Sequence, residues 1–231
     1  MLGESIGKKI FGKVAEKFAL QPSADFEDLK TVRTFDGQTA GRIEVFQGPK
    51  VEKLTWTEMS LGPGMRYINV LLKPSARYNI PKFYLNHMTL GEKVRFDVDL
   101  YPAVDLVPRQ DYLDRYYEKI ATAYDQAKAS SIFKWQLSKH AWLRVASSPF
   151  FFMADVERAH QDEVEELVLC YVDAWLTIRE AEQEVCEEEA RRIEERRGFT
   201  IKWLIERDPE RRLLEKVFGK EVTARVSQAM V

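Results

Sequence analysis

Between Met65 and Pro102 the chain reads as three consecutive strands, MRYINVLLKP, PKFYLNHMTL and KVRFDVDLYP, whose alternate residues form two chemically different sets. Successive side chains on a strand point to opposite faces. Ile68, Val70, Leu72, Phe83, Leu85, Val94, Phe96, Val98 and Leu100 therefore share one face, joined by Leu54 and Trp56 from the preceding strand. That almost purely apolar face predicts a layer packed against helices. The other face carries Thr55, Thr57, Tyr67, Asn69, Tyr84, Asn86, Met88, Asp97 and Asp99. It is too polar for a dry core, and its middle is too poor in charge for a solvent-washed surface. The pattern predicts a covered cavity floored by a sheet.

The flanking sequence supplies layers for both faces. Residues 2 to about 19 place Ile6, Ile10, Phe11, Val14 and Phe18 at helical spacing with lysines opposite, which predicts an amphipathic helix packed on the sheet. Strands near 41–47 and 51–60 precede the three above, and the short links with Gly48, Pro49, Gly62, Gly64, Pro74 and Gly91 favour an antiparallel meander. A helix is expected over about 109–129, then an aromatic segment with Phe133, Trp135 and Trp142, then a strand or strand edge in SSPFFFMAD. From about Val156 the pattern is helical to the end, with a break expected at Gly198 and a final part starting near Asp208. The expected class is α+β, with a central antiparallel sheet flanked by helices on both faces. No Pro, Gly or Ser-rich linker divides residues 1–231, which read as a single domain.

Much chemistry is missing. There is no GxGxxG after a strand and no GxxxxGK followed by Ser or Thr, so nothing supports a bound dinucleotide or a hydrolysed triphosphate. CxxC and HExxH are absent, and His87, His140 and His160 are scattered, so no metal is expected. Ser147 and Ser148 lack a nucleophile-elbow context. A net charge of −2 argues against a nucleic-acid partner. Cys170 and Cys186, read as lying on one continuous helix, would sit about 24 Å apart and unable to pair. With no signal peptide and no apolar run of membrane-spanning length, a soluble cytoplasmic protein is expected. The plastid stroma is the counterpart in a eukaryote, its transit peptide then being absent.

Four segments in order, YNIPKFYLN, VDLYP, SSPFFF and DPERRLLEKVFG, resemble the ferredoxin-dependent bilin reductases. That family carries a Y-x-x-P-x-F-x-x-(D/N) strand, a strand ending in D-(L/F)-x-P, an S-P-(Y/F) segment and a D-x-x-R-R-x-L-E-x-x-F-G helix start. The likeness runs from Tyr78 to Gly219 and is vague before Leu54. It implies an α/β/α sandwich enclosing biliverdin IXα between the sheet and the C-terminal helices. It further implies electrons from a 2Fe–2S ferredoxin and no resident flavin or metal, the bilin being its own redox centre. A heme oxygenase upstream and a bilin acceptor downstream are further partner candidates.

Carried across residue by residue, the resemblance makes Asp208 the first candidate proton donor; as a capping residue before Pro209 it has an equally simple structural role. The family's central-strand Asp falls on Asn86, an amide that can hydrogen-bond the pigment but cannot act as an acid. A family His on the preceding strand falls on Asn69, and the His and Glu positions of the vinyl-reducing branch fall near Thr55 and Thr57. These departures disfavour D-ring vinyl reduction and favour the A-ring diene, with a phycoerythrobilin- or phytochromobilin-type product. Tyr67 and Met88 join Asn69, Thr55 and Thr57 as expected substrate contacts, and Lys202, Arg207, Arg211 and Arg212 are expected to meet propionates or ferredoxin unless they are a solvated helix face. Arg66, Lys73 and Arg77 are further docking candidates; His87 is expected in the apolar layer as a hydrogen-bonded core residue, and Asp99 as structural. Two other readings remain: a bilin carrier without turnover, and an enzyme of the red chlorophyll catabolite reductase type.

Overall fold

The computed structural model describes residues 5–207 and 211–230, apart from the side chains of Leu204 and Leu213. Its centre is an antiparallel sheet built from β1 (Gln21–Pro22), β2 (Val32–Arg33), β3 (Thr39–Gln47), β4 (Val51–Gly62), β5 (Met65–Pro74), β6 (Lys82–Leu90), β7 (Lys93–Tyr101), β8 (Lys134–Trp135) and β9 (Phe152–Glu157). The strands lie in the order β1-β3-β4-β5-β6-β7-β9-β8, with β2 also paired to β3. From β3 to β7 the chain is a meander, each strand hydrogen-bonded to its successor. The β6–β7 turn has two residues, and Gly91 adopts a φ of 60° there, a left-handed conformation that such tight hairpins need.

Three helices cover the apolar face: α1 (Ile6–Lys17), α2 (Gln110–Ala129) and α4 (Gln161–Ala181). On α4, Val164, Val168, Tyr171, Trp175 and Ile178 recur at helical spacing and are all buried against the sheet or the neighbouring helices. Some of the polar atoms that enter this layer are satisfied by backbone. Trp175 Nε1 donates to the Pro81 carbonyl at 2.9 Å, and the Tyr117 hydroxyl donates to the Leu100 carbonyl at 2.6 Å. Gly7 lets α1 settle onto the sheet, since a Cβ there would stand 2.3 Å from the Trp56 indole nitrogen.

On the opposite side lie α5 (Glu187–Arg207), α6 (Arg211–Phe218) and α7 (Lys220–Ala229), of which α6 and α7 pack on the face at its β3–β4 side. Phe218, Val226 and Ala229 close over Ile43, Val45 and Met59, which seals the β3–β4 side. Arg197 of α5 is buried at the end of the sheet, where it donates to the carbonyls of Pro74 at 2.8 Å and Ile80 at 3.0 Å. A short helix, α3 (Ala141–Ala146), touches α5 from the other side.

Two expectations need correction. Residues 182–186 break the C-terminal helical run, although they contain neither Gly nor Pro, while α5 passes through Gly198 without interruption. Tertiary contacts override propensity at the break: the Tyr116 hydroxyl bonds Glu182, the Tyr78 hydroxyl bonds Glu184, and the Val185 amide bonds the Arg77 carbonyl. Cys170 and Cys186 thus lie on opposite sides of the break, both as free thiols. The strand expected in SSPFFFMAD is interior, β9 lying between β7 and β8.

Because Leu85 is fully buried at the centre of the apolar layer, Leu85→Ala is expected to lower the unfolding free energy by about 2–5 kcal/mol. Urea titration checks this; a loss below about 1 kcal/mol would mean that β6 does not anchor the core.

Candidate functional site

The register arranges the second face into rows. Ile43, Thr57, Asn69, Asn86, Asp97 and Met153 are successive cross-strand partners, so their side chains cross the middle of the sheet in one line. On one side of this line runs Val45–Thr55–Leu71–Tyr84–Asp99, and on the other Met59–Tyr67–Met88–Arg95–Asp155. Tyr84, Asn86, Met88, Asp97 and Met153 are only half-buried although they lie on interior strands, so α5–α7 leave this part of the sheet accessible.

Polar atoms of the central row are short of partners. Asn69 Nδ2 donates to the Leu85 carbonyl at 2.9 Å, and Asn86 Nδ2 donates to Asp97 Oδ1 at 3.2 Å. Thr57 Oγ1, Asn69 Oδ1 and Asn86 Oδ1 are buried without a hydrogen-bond partner among the described residues. Three unmet oxygens with a carboxylate beside them form a stripe of acceptors. Strands are spaced by about 4.8 Å, so Thr57 to Asp97 spans about 14 Å. Buried acceptors without donors are costly, and a ligand that lays several N–H groups along the row would relieve that cost.

The expected site residues divide accordingly. Thr57, Asn69 and Asn86 share the row, and Tyr67 and Met88 face each other in the next one. Thr55 is fully buried, and its hydroxyl donates to the Ala229 carbonyl at 2.7 Å, so it fastens α7 to the sheet. Asp208 lies outside the described residues. Lys202 is exposed and Arg211 half-buried, each pairing along its own helix, with Glu206 and Glu215, and Arg207 and Arg212 are exposed, the pattern of a solvated helix face. Lys73 is buried and paired with Glu52 at 2.7 Å, which removes it from any docking surface. His87 does lie in the apolar layer, but neither ring nitrogen has a partner among the described residues, and burial pushes it down to about 4, keeping it neutral.

Asp99 joins two of the family-like segments. It accepts from the Ser148 amide at 2.9 Å and from the Ser148 hydroxyl at 2.5 Å, tying VDLYP to SSPFFF. Full burial pushes its carboxyl up to about 6, although the Ser148 bonds and nearby Lys82 pull the other way.

Two features were within reach of the sequence but not singled out as a site. Lys53, Lys73 and Lys82 belong to the polar face by the same period-two count that finds Thr55, Asn69 and Tyr84. With Arg197 they make a basic end to that face, in which Lys73, Lys82 and Arg197 are buried and Lys53 is half-buried; burial first, and then Arg197 and Lys73, push the Lys82 amine down to about 7. Asp97 appears in the polar list, but its pairing with Asn86 needs the strand register. Beyond the end of β7, a groove of about 980 Å³ opens between α5, the loop around Ala103 and the end of α3, bordered by Ile193, Phe199 and Trp203. Among the described residues, no cluster of three or more His, Cys, Asp or Glu side chains is placed to hold a metal ion, and no helix is long and apolar enough to cross a membrane.

The protein is a sandwich with one face closed by helices and one partly accessible face striped with acceptors. Residues 8–229 match the profile of the ferredoxin-dependent bilin reductases, and the chain belongs to that family of oxidoreductases acting on bilins. The crystal structure of selenomethionine phytochromobilin synthase from tomato in complex with biliverdin has the same fold, with a TM-score of 0.83 at 19% identity over 95% of this chain and 79% of that one. No curated protein matches.

Because the folded state holds the Asp99 proton to higher pH than the unfolded chain, Asp99 makes stability fall as pH rises from about 4 to about 6. Relative to Asp99→Asn, the wild type is expected to be more stable at pH 4 than at pH 7 by up to about 3 kcal/mol. Chemical denaturation at both pH values measures it, and a pH-independent difference would contradict a buried, proton-holding Asp99.

Proposed function

We propose that this protein reduces biliverdin IXα to a phytobilin with single electrons from a reduced 2Fe–2S ferredoxin, acting on the A-ring diene to give a phycoerythrobilin- or phytochromobilin-type product. The acceptor row carries the reading. Pyrrole and lactam N–H groups are the donors that Thr57, Asn69 and Asn86 lack, and they are spread over a length comparable to the row. The basic end at Lys53, Lys73, Lys82 and Arg197 further favours a ligand that carries carboxylates, as the two propionates of biliverdin do. Amides at Asn69 and Asn86 and a hydroxyl at Thr57 stand where the vinyl-reducing branch has imidazole and carboxyl groups, which favours the A-ring.

The residues' tasks follow from their chemistry. Asn69 is oriented by its bond to the Leu85 carbonyl, which leaves its oxygen directed to an N–H donor. Met153 supplies apolar surface at the end of the row, and Tyr67 and Met88 supply it beside the row. Electrons enter through the pigment itself, so the reading requires no flavin, nicotinamide or metal held by the chain. Asp208, at the start of the C-terminal D-x-x-R-R motif, is the proton donor for the A-ring in this reading.

Mixing the protein with biliverdin under anaerobic conditions, adding reduced ferredoxin and separating products by chromatography tests the proposal. The expected outcome is loss of the biliverdin band and an A-ring-reduced product. A pigment that binds but keeps its spectrum would make the protein a carrier. Asp208→Asn is expected to slow product formation at least about 100-fold while leaving pigment binding near wild type; undiminished activity would contradict that role.

A further inference from the structure

The parity of residues that builds the apolar layer turns polar towards the β4–β5 and β6–β7 hairpins. On β4 it runs from Trp56 to Glu58 and Ser60, on β5 from Ile68 back to Arg66, and on β6 from His87 to Thr89. Arg42, Glu58, Ile68 and His87 are successive cross-strand partners, and so are Ser60, Arg66 and Thr89. Such residues demand no apolar cover. Both α1 and α4 begin at their border, with Ser5 and Ile6 on one side and Gln161 and Asp162 on the other, and a cavity of about 820 Å³ is left between helices and sheet.

His87 lines this cavity, is only 2% exposed, and has no partner for either ring nitrogen among the described residues. A neutral imidazole offers one N–H donor and one acceptor, and burying both unmet is costly. Beside it, Ile6 and Ile68 make the inner wall apolar. The rim is charged and unbalanced: among the described residues, five basic side chains line the cavity against three acidic ones. Two of the three acids are already neutralised, Glu58 by Arg42 at 3.4 Å and by Arg66, and Glu165 by Lys9. The positive ends of α1 and α4 add to the excess. Arg66 is the diagonal neighbour of His87 on this face, about 7–8 Å away along the backbone, so one small molecule can reach both. We infer that this cavity is a second binding site, on the face away from the acceptor row, for a small organic anion: a phosphate ester or carboxylate held at the rim by Arg66 and Arg158, with an apolar body that lies over Ile68 and reaches the His87 ring.

The test titrates the full-length protein, labelled with ¹⁵N at histidine and free of pigment, with phenyl phosphate and with benzoate. His87 is identified by the loss of its signals in His87→Gln. Saturable shifts of the His87 ring nitrogens below about 10 mM of either probe are expected, with those of His140, at the start of α3, unmoved. The double variant Arg66→Ala with Arg158→Ala changes only exposed side chains and is expected to bind phenyl phosphate at least about tenfold more weakly, the scale of lost charge-assisted hydrogen bonds. Inorganic phosphate, the same anion without the apolar body, is expected to bind at least about tenfold more weakly than phenyl phosphate. No saturable shift at His87 with either probe overturns the site. Unchanged affinity in the double variant overturns the placement of the anion at Arg66 and Arg158, and inorganic phosphate binding as tightly as phenyl phosphate overturns the ligand class. All of these outcomes are read without ferredoxin or turnover, so they stand or fall separately from the reduction of biliverdin.

Discussion

The alternation of side chains along β4–β7 is the constraint on which the rest depends. One parity of residues is apolar and demands a continuous cover, which α1, α2 and α4 provide with Ile10, Tyr117, Val168 and Trp175. The other parity is mixed, so the second helical layer cannot simply repeat the first. It closes tightly only where the strands offer apolar partners, at Ile43, Val45 and Met59 under Phe218, Val226 and Ala229, and it leaves β6, β7 and β9 accessible. A one-residue slip in any of these strands would exchange the two faces, so the register that builds the core is also the register that lines up Thr57, Asn69, Asn86 and Asp97.

Along the strands, the second face is graded. Lys53, Lys73, Lys82 and Arg197 gather at one end, the amide row crosses the middle, and the Arg95–Asp155 pair marks the far side. The basic end is expensive because Lys73, Lys82 and Arg197 are buried, and it is held by Glu52 and Glu194 at Lys73 and by backbone carbonyls at Arg197. Burial of this kind costs stability that core packing offsets, a common arrangement at functional sites. Ser148 works in the same way on Asp99, neutralising a buried carboxyl's need for partners so that the strand ends can be sealed.

How much of this was legible in the sequence depends on the range of the interaction. Period-two counting in residues 65–102 correctly separated the two faces, down to His87 falling among the apolar set, because strand parity is a local property. The helix break at 182–186 was invisible because Tyr78, Tyr116 and Arg77, far away in sequence, create it. The expectation of a break at Gly198 failed for the converse reason: on α5 the loss of helix propensity from one glycine is small, and Arg197 beside it is anchored at the sheet end. Thr55 and Thr57 have the same parity and the same chemistry, yet one hydroxyl is consumed by Ala229 and the other finds no partner among the described residues, a distinction that strand parity does not make. The pairing of Asn86 with Asp97 likewise depends on hairpin register, which no single strand reveals.

The central claim is that the oxygens of Asn69 and Asn86 accept from a pigment laid across the row. Side-chain amide resonances of these two residues, assigned in ¹⁵N-labelled protein and followed during titration with biliverdin, address it most directly. Both resonances are expected to shift in step with saturation of the pigment's visible band. Saturable binding that leaves both resonances unmoved would place the ligand elsewhere and contradict the claim.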